Sequence, residues 1–140
     1  MAKTFQLVVR TPDRELENRE VDYVQLATED MGLLTILHGH ASLSGTIFLT
    51  RMIIRGSGFE EEYILRRGLV FVSLESKTVT VMAYHAEKTR EVQLSTVSEY
   101  LRQIEEALHG GPERLNELQV SYLQNEKLAV SKHLKDFEKV

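Results

Sequence analysis

The chain has 140 residues, of which 42% are hydrophobic and 27% are charged, and its formal net charge at pH 7 is −4. This composition is that of a globular protein with a core rather than a disordered chain, and the acidic balance argues against binding to duplex nucleic acid. The absence of cysteine excludes disulfide bonds, thiolate zinc sites and cysteine nucleophiles.

The beginning of the chain enters a strand-like pattern at once. It contains no apolar signal core and no Arg/Ser-rich transit stretch. The longest apolar segment, 46–54, is interrupted by Thr50 and Arg51 and is far too short to cross a bilayer. We therefore expect any association with a membrane to go through a partner.

Short apolar and β-branched runs, separated by turn residues, fill residues 1–88. The first run, Phe5–Arg10, alternates apolar and polar residues and is stopped by Pro12, which cannot donate to a sheet ladder. Six further runs follow, at 21–26, 33–37, 47–54, 63–66, 69–74 and 78–84. Turn signals recur about every 8–12 residues, which predicts an antiparallel β-sandwich or barrel.

Four short segments of this region are interpreted as turns or edges. Gly56-Ser57-Gly58 predicts a turn, and 75–77 has the length of a hairpin connection. The acidic run 60–62 is interpreted as a solvated turn. Arg66-Arg67 is interpreted as an edge or turn pair, because adjacent strand residues point to opposite faces and would not grip one anion together.

The periodicity changes near Thr89 from strand-like to helical. Apolar residues then recur at intervals of three and four, at Leu94, Val97, Leu101, Ile104 and Leu108. Gly110-Gly111-Pro112 ends this helix, with glycine as the C-cap and proline at the start of a second helix. The second helix carries two neighbouring apolar stripes: Leu115, Leu118, Tyr122 and Ala129, and then Leu123, Val130, Leu134 and Phe137.

Residues 89–140 are therefore predicted to form an antiparallel helical hairpin. Isolated helices of about 15 residues are marginal in water, and two of them bury little apolar surface. We expect the hairpin to dock on the sheet domain, on a partner, or on each in turn.

The most conspicuous candidate for chemistry is His38-Gly39-His40. Two histidines at i and i+2 of a strand point to the same face, and with His85 as a third ligand they would make a small metal-dependent enzyme. The alternative is that Gly39 lies in a turn, with one histidine packed and the other solvated. The sequence contains no nucleophile elbow, phosphate-binding loop or dinucleotide-binding fingerprint.

Residues 28–43, TEDMGLLTILHGHASL, resemble the signature of the epsilon subunit family of F-type ATP synthases, also called the delta/epsilon family. The matching positions are Gly32, Leu34, Ile36, Leu37, Gly39, His40, Ala41 and Leu43. The segments 68–72 and 79–87 are also similar. The resemblance covers the whole chain, because the family has the same order of a β-sandwich and then a helical hairpin. The departures are Leu33, Thr35, His38 and Ser42, which make the loop less acidic and suggest a divergent bacterial form.

The resemblance implies a non-catalytic rotor subunit, without a cofactor, in the central stalk of a proton- or sodium-translocating ATP synthase. The sandwich, residues 1–88, would bind the gamma subunit, rest on the c-ring and help to transmit torque. The hairpin, residues 89–140, would extend along gamma toward the alpha and beta subunits and inhibit ATP hydrolysis. The subunit would lie at the cytoplasmic face of the bacterial inner membrane, attached only through the complex.

The resemblance also implies contact residues. Those for the c-ring and gamma are Met31, Leu33, His38, His40 and Leu43, and those for the beta subunit are Arg114, Lys127, Lys132 and Lys135. Some bacterial members bind ATP at the start of the helical part, but the aligned segment 92–97 lacks the Asp and the Arg of that motif, so ATP binding is not predicted. A free-standing β-sandwich adaptor with a helical docking arm is an alternative that differs only in its partner.

Overall fold

The computed structural model describes residues 3–89, 94–110 and 115–138, except for the side chains of 94–97 and 132–138. The chain divides into two compact units, Met1–Lys88 and Thr89–Val140. The first is built from strands and the second from helices. No helix within the described ranges combines the length and the apolar composition that spanning a bilayer requires.

The described residues of the first unit form seven strands. They are β1 (Phe5–Arg10), β2 (Glu15–Val21), β3 (Tyr23–Thr28), β4 (Gly32–Leu37), β5 (Leu43–Gly56), β6 (Phe59–Ser73) and β7 (Thr78–Lys88). Their order in the sheet is β2-β1-β7-β6-β5-β3-β4, and neighbours are antiparallel except for the parallel pair β1 and β7. Because the sheet folds over on itself, β2 also contacts β5, which lies four places away in this order. The predicted β-sandwich is confirmed.

The core lies between the two layers of this folded sheet. Alternate residues of β1 point into it, and Leu7 and Val9 are completely buried, as the alternating pattern predicts. Thr50, which interrupts the longest apolar segment, is buried as well. Its hydroxyl accepts a hydrogen bond from the Ala27 amide and donates one to the Arg51 carbonyl, each at 2.9 Å, so this polar group is satisfied inside the core.

β6 runs unbroken through a segment that the sequence pattern predicts as two strands. Arg67 has a φ of +54°, and a Cβ atom on Gly68 would overlap the carbonyl oxygen of Met82 on β7. The β6 residues of the core cluster are Tyr63 and Leu65 before this point and Val70 and Val72 after it, so the positions that face the core change from odd to even numbers. The prediction of two strands is therefore wrong, and Arg66-Arg67 marks an irregularity within a central strand rather than an edge or a turn.

The acidic run 60–62 also lies in β6, so its interpretation as a solvated turn is wrong. Each carboxylate is paired with a cation: Arg55 with Glu60 at 3.3 Å, Lys88 with Glu61 at 3.7 Å, and Arg51 with Glu62 at 3.0 Å. The turn is shorter and lies just before the run, at Ser57 and Gly58, where Gly58 has a φ of +78°. Cross-strand cations allow three acidic residues to continue a strand.

Within its described residues the second unit contains two helices, α1 (Leu94–Leu108) and α2 (Glu117–Glu138). Gly110 has a φ of +94°, which agrees with the predicted glycine C-cap of α1. α2 begins later than Pro112 predicts, because Asn116 caps it. The Asn116 Oδ1 accepts from the Gln119 amide at 2.9 Å, and the Gln119 Oε1 accepts from the Asn116 amide at 3.0 Å. This reciprocal pair satisfies two amides at the start of the helix.

The helices pack through one apolar side each. Ile104 of α1 and Leu123 and Val130 of α2 are buried, as predicted for these stripes. Leu118 and Ala129 of the other predicted stripe are exposed, whereas Tyr122 of that stripe is half-buried and hydrogen-bonds Tyr100 of α1. The described core of the hairpin therefore follows the second stripe and, from the first, Tyr122.

Candidate functional site

Four large apolar side chains project outward from neighbouring strands of the sandwich, and we call them the β6–β7 face: Leu69, Phe71, Met82 and Tyr84. They are between 42% and 68% exposed. Leu69 is directly opposite Met82 in the ladder, and the other two lie two residues further along their own strands on the same side. The four side chains therefore form one continuous apolar patch.

Polar residues border the β6–β7 face on both sides. On β5, Thr46 lies opposite Leu69 and is exposed, and on β1, Arg10 lies opposite Met82 and is exposed. At one end, the Tyr84 ring meets the His85 ring edge-on, with centroids 5.8 Å apart. An apolar patch about two strands, or roughly 10 Å, wide with polar borders is typical of a protein interaction surface.

The connection between β4 and β5 carries His38 and His40. Gly39 has a φ of +82°, and the His40 amide donates to the Leu37 carbonyl at 3.1 Å, which closes a turn. The His40 Nδ1 lies 2.7 Å from the Ala41 carbonyl oxygen, so this nitrogen carries the proton and donates. His40 is half-buried and His38 is exposed, which confirms the interpretation of one packed and one solvated histidine around a glycine turn.

This connection packs against the turn between β6 and β7. The Leu74 amide donates to the Ser42 hydroxyl at 2.9 Å. Between the two turns lies a pocket of about 50 Å³, with His38, His40 and Lys77 among the residues that line it. Such a volume admits one small apolar side chain and is far below the roughly 300–1,000 Å³ of a typical small-molecule site.

The pocket is mostly apolar. Its remaining lining comes from Phe5, Ile36, Leu37, Gly39, Val72, Ser73, Leu74, Thr78 and Val79. Leu37 and Leu74 are also about half exposed to solvent beside the opening. We call these two turns together with the pocket the end loop. Its pocket is apolar, with basic side chains among the lining residues.

The predicted contact residues do not all come together. His38 and His40 line the pocket, whereas Met31 lies at the far end of β4, roughly 20 Å away for a six-residue strand. Met31 packs near Gly45, and Leu33 is exposed on the edge strand β4. Leu43 is half-buried against the core and offers little surface to a partner.

The described residues do not form the three-histidine metal site. No group of three or more histidines and carboxylates in the described ranges is placed to hold a metal ion. His85 lies on β7 beside Tyr84, whereas His38 and His40 belong to the end loop. The alternative of a metal-dependent enzyme required these three histidines to act together as ligands, and the described residues do not bring them together.

The hairpin has a buried polar contact at its centre. The Tyr100 hydroxyl on α1 donates to the Glu126 Oε2 on α2 at 2.8 Å. Burial, together with the nearby Tyr122 and Glu126, raises the pKa of Tyr100 well above its usual value of 10.0. The sequence pattern does not predict this contact, because the predicted apolar stripe of α1 consists only of aliphatic residues.

Among the predicted beta-subunit contacts, only Lys127 has a described side chain. Its Nζ lies 3.9 Å from Glu105 Oε1, and both side chains are partly exposed. Arg114 lies outside the described residues. Lys132 and Lys135 lie on α2, but their side chains are outside the described part of the chain.

Comparison with known proteins identifies the sandwich. Residues 4–89 match the family model "ATP synthase, Delta/Epsilon chain, beta-sandwich domain". The ATP synthase epsilon chain of Natranaerobius thermophilus is 28% identical over 114 residues, covering 81% of this chain and 80% of that protein. The ATP synthase epsilon chain of Citrifermentans bemidjiense is 29% identical over 110 residues, covering 79% and 78%.

Solved structures share the fold over nearly the whole chain. A chain in the OSCP/F1/c-ring structure of the Euglena gracilis mitochondrial ATP synthase superposes with a TM-score of 0.66 at 16% identity, covering 94% of this chain and 82% of that one. A chain in the central stalk/c-ring structure of the Tetrahymena thermophila mitochondrial ATP synthase gives 0.55 at 14% identity, covering 94% and 93%.

These matches confirm what residues 28–43 lead us to expect, an epsilon-type ATP synthase subunit rather than an enzyme. The family model spans the whole sandwich, and the curated relatives extend the similarity beyond it. The chain therefore belongs to the delta/epsilon chain family of ATP synthase subunits.

Proposed function

We propose that the chain is a central-stalk subunit of a rotary ATP synthase, in which the sandwich links the gamma subunit to the c-ring and the hairpin restrains ATP hydrolysis. Family membership and the fold shared with chains of central-stalk structures support this proposal. The observation that carries it is the β6–β7 face, a continuous apolar patch on the outside of an otherwise well-packed sandwich.

The β6–β7 face is proposed as the docking surface for gamma. Phe, Met and Tyr are the residue types enriched at protein interfaces, and all three occur within this patch. Burying half-exposed side chains of this size on a partner gains roughly 25 cal/mol for each Å² of apolar surface removed from water. A face of this kind suits a lasting attachment, which a torque-transmitting subunit needs.

The end loop is proposed as the contact with the c-ring. Apolar contact is offered by the small pocket and by the exposed Leu37 and Leu74. Basic and hydrogen-bonding groups come from three residues that line the pocket, His38, His40 and Lys77. No carboxylate is among the described residues that line the pocket, although the exposed Glu75 belongs to the turn between β6 and β7. Contact at the pocket itself would therefore rest on shape and apolar burial.

The hairpin is proposed as the mobile part that meets the alpha and beta subunits. Lys127 is the described candidate for contact with beta. Its ion pair with Glu105 is long and solvent-exposed, and such pairs contribute about 0–1 kcal/mol, so the lysine is readily released to another carboxylate. The complex would hold the chain at the cytoplasmic face of a bacterial inner membrane, as a peripheral protein.

The first test is binding to the gamma subunit encoded with this chain. We expect co-purification, with Phe71→Glu and Met82→Glu each weakening binding by at least about tenfold, since a carboxylate would be buried against the partner. Leu37→Glu is the matched control: it adds the same charge at an exposed apolar position outside the face and should leave gamma binding unchanged. Absence of binding by the unmodified chain at micromolar concentration contradicts the proposal.

A further inference from the structure

The centre of the hairpin combines burial with polarity. Tyr100 is 1% exposed and Glu126 is 8% exposed, and they are joined by the 2.8 Å hydrogen bond. Tyr122 of α2 also hydrogen-bonds Tyr100. Apolar side chains, including Ile104 and Leu123, are buried in the same layer between the helices. The pair lies at a similar distance from the connection on both helices, eight residues before the end of α1 and nine after the start of α2.

We infer that Tyr100 and Glu126 form a polar clasp, which fixes the register of the closed hairpin while holding its helices together less tightly than an apolar pair would. The clasp is a property of the hairpin alone. That the hairpin opens and closes in the complex is part of the proposed function, and the role of the clasp in that motion rests on it.

The clasp fixes register because only one alignment brings the Tyr100 hydroxyl to Glu126. A shift by one helical turn, about 5.4 Å, would still bring aliphatic residues of the two helices together, since these recur along both. The same shift would take the phenol away from a carboxylate that stays buried. Losing a donor to a buried charged acceptor is costly, so misaligned hairpins are disfavoured.

The clasp also limits how tightly the hairpin closes. When α1 and α2 separate, the phenol hydroxyl and the carboxylate regain water, and this offsets part of the loss of apolar burial. An apolar pair of similar volume regains nothing comparable on exposure. Replacing both partners of a buried hydrogen bond with apolar groups of similar shape can for this reason be nearly neutral or stabilising, whereas removing one partner alone is destabilising.

The experiment measures closure directly in the full-length chain. The protein contains no cysteine, so Ser98→Cys and Ala129→Cys introduce two unique labelling sites at exposed positions on α1 and α2. Spin labels at these sites report the ratio of closed to open hairpin as the share of short to long distances. The tested changes, added to this labelled background, are Tyr100→Phe, Glu126→Met and the double variant.

We expect Tyr100→Phe and Glu126→Met each to lower the closed-to-open ratio by at least about tenfold, because each removes the Tyr100–Glu126 hydrogen bond between the helices while the other residue stays buried. The double variant should exceed the starting ratio by about fivefold or more. It should also broaden the short-distance peak, because the register is no longer specified. Arg102→Gln is the control, since Arg102 is exposed and pairs with Glu99 and Glu106 on its own helix.

Three results would overturn the clasp. The first is an unchanged distance distribution in Tyr100→Phe, and the second is a double variant that closes no better than either single variant. A loss of helical circular dichroism in Tyr100→Phe that the double variant does not recover also counts against it, because the hydroxyl would then be needed for folding in general. None of these measurements involves gamma, so failure of the clasp and failure of the proposed function are separate outcomes.

Discussion

The Tyr63 hydroxyl on β6 donates a hydrogen bond of 3.1 Å to the Glu17 Oε1 on β2, although the two strands are three places apart in the sheet. Glu17 is only 8% exposed, and its other oxygen lies 3.9 Å from Arg19. The guanidinium of Arg19 in turn sits 3.5 Å above the centre of the Phe59 ring. The edge strand β2 is thus tied to the opposite layer by a buried polar contact.

This tie predicts that Tyr63→Phe destabilises the sandwich. The variant keeps the aromatic ring and removes one donor from a buried carboxylate, which should lower the free energy of unfolding by about 1–3 kcal/mol. Tyr84→Phe is the matched control, because Tyr84 is 68% exposed and its loss of a hydroxyl should cost less than about 0.5 kcal/mol. Urea denaturation of the two variants measures the difference, and equal midpoints would contradict the prediction.

Two glycines of the sandwich should respond differently to alanine. A methyl group on Gly68 would overlap the Met82 carbonyl on a central strand, whereas the space around Gly58 is open and only its positive φ is at stake. We expect Gly58→Ala to cost about 1 kcal/mol. Gly68→Ala should cost at least about 2 kcal/mol more, or prevent folding, because backbone must move. Similar thermal midpoints for the two variants would show that β6 and β7 adapt more easily than their spacing suggests.

Apolar alternation predicts much of this fold but fails where charged side chains are paired across strands. β1 and β7 follow the pattern, and their buried residues are those that alternation indicates. The sequence of β2, ELENREV, does not predict a strand. The strand lies at the sheet edge, and Glu17 contacts Tyr63 of β6. Neither interaction can be seen in the local sequence. The same holds for residues 60–62, whose cations come from β5 and β7.

The candidate surfaces were only partly predictable for a related reason. A match to family residues around His38 and His40 finds the end loop, since the turn is local in sequence. The β6–β7 face requires knowing that Leu69 lies opposite Met82 and that this side of the sheet is outside. An apolar run gives no indication of which residues of a strand point outward, unless the layers are already known.

A change in the end loop should impair the coupling of ATP hydrolysis to ion pumping without weakening the binding of gamma. Leu74→Glu places a carboxylate beside the pocket, where an apolar partner surface is expected, and should weaken attachment to the c-ring by roughly 1–2 kcal/mol. ATP-driven ion pumping relative to ATP hydrolysis, measured in inverted membrane vesicles, should fall. Leu118→Glu, at an exposed leucine of α2, is the control. Normal pumping with Leu74→Glu would place the c-ring contact elsewhere on the sandwich.

Alkaline titration should reveal the raised pKa of Tyr100 as a step above the usual tyrosine range. Because burial raises its pKa in the folded chain, the folded state holds this proton more tightly than the unfolded state. The resulting contribution to stability is complete below a pH of about 10 and is lost as the pH rises through the folded pKa. Phenolate absorbance at increasing pH should show this step in the unmodified chain and not in Tyr100→Phe. If Tyr100→Phe instead lacks a step within the usual tyrosine range, Tyr100 is solvated and the hairpin is mostly open in solution.

Removing residues 90–140 tests whether the hairpin is a brake or a structural support. The sandwich core is formed from residues of the first unit, so the shortened chain should fold and still bind gamma with unchanged affinity. ATP hydrolysis by the assembled complex should stay equal or rise, because a segment proposed to obstruct the catalytic subunits is gone. Lys127→Glu in the full-length chain should act in the same direction but less strongly, since it reverses one charge that is proposed to meet an acidic surface. A shortened chain that fails to fold, or a complex that hydrolyses ATP more slowly, would show that the helices support the sandwich rather than restrain the motor.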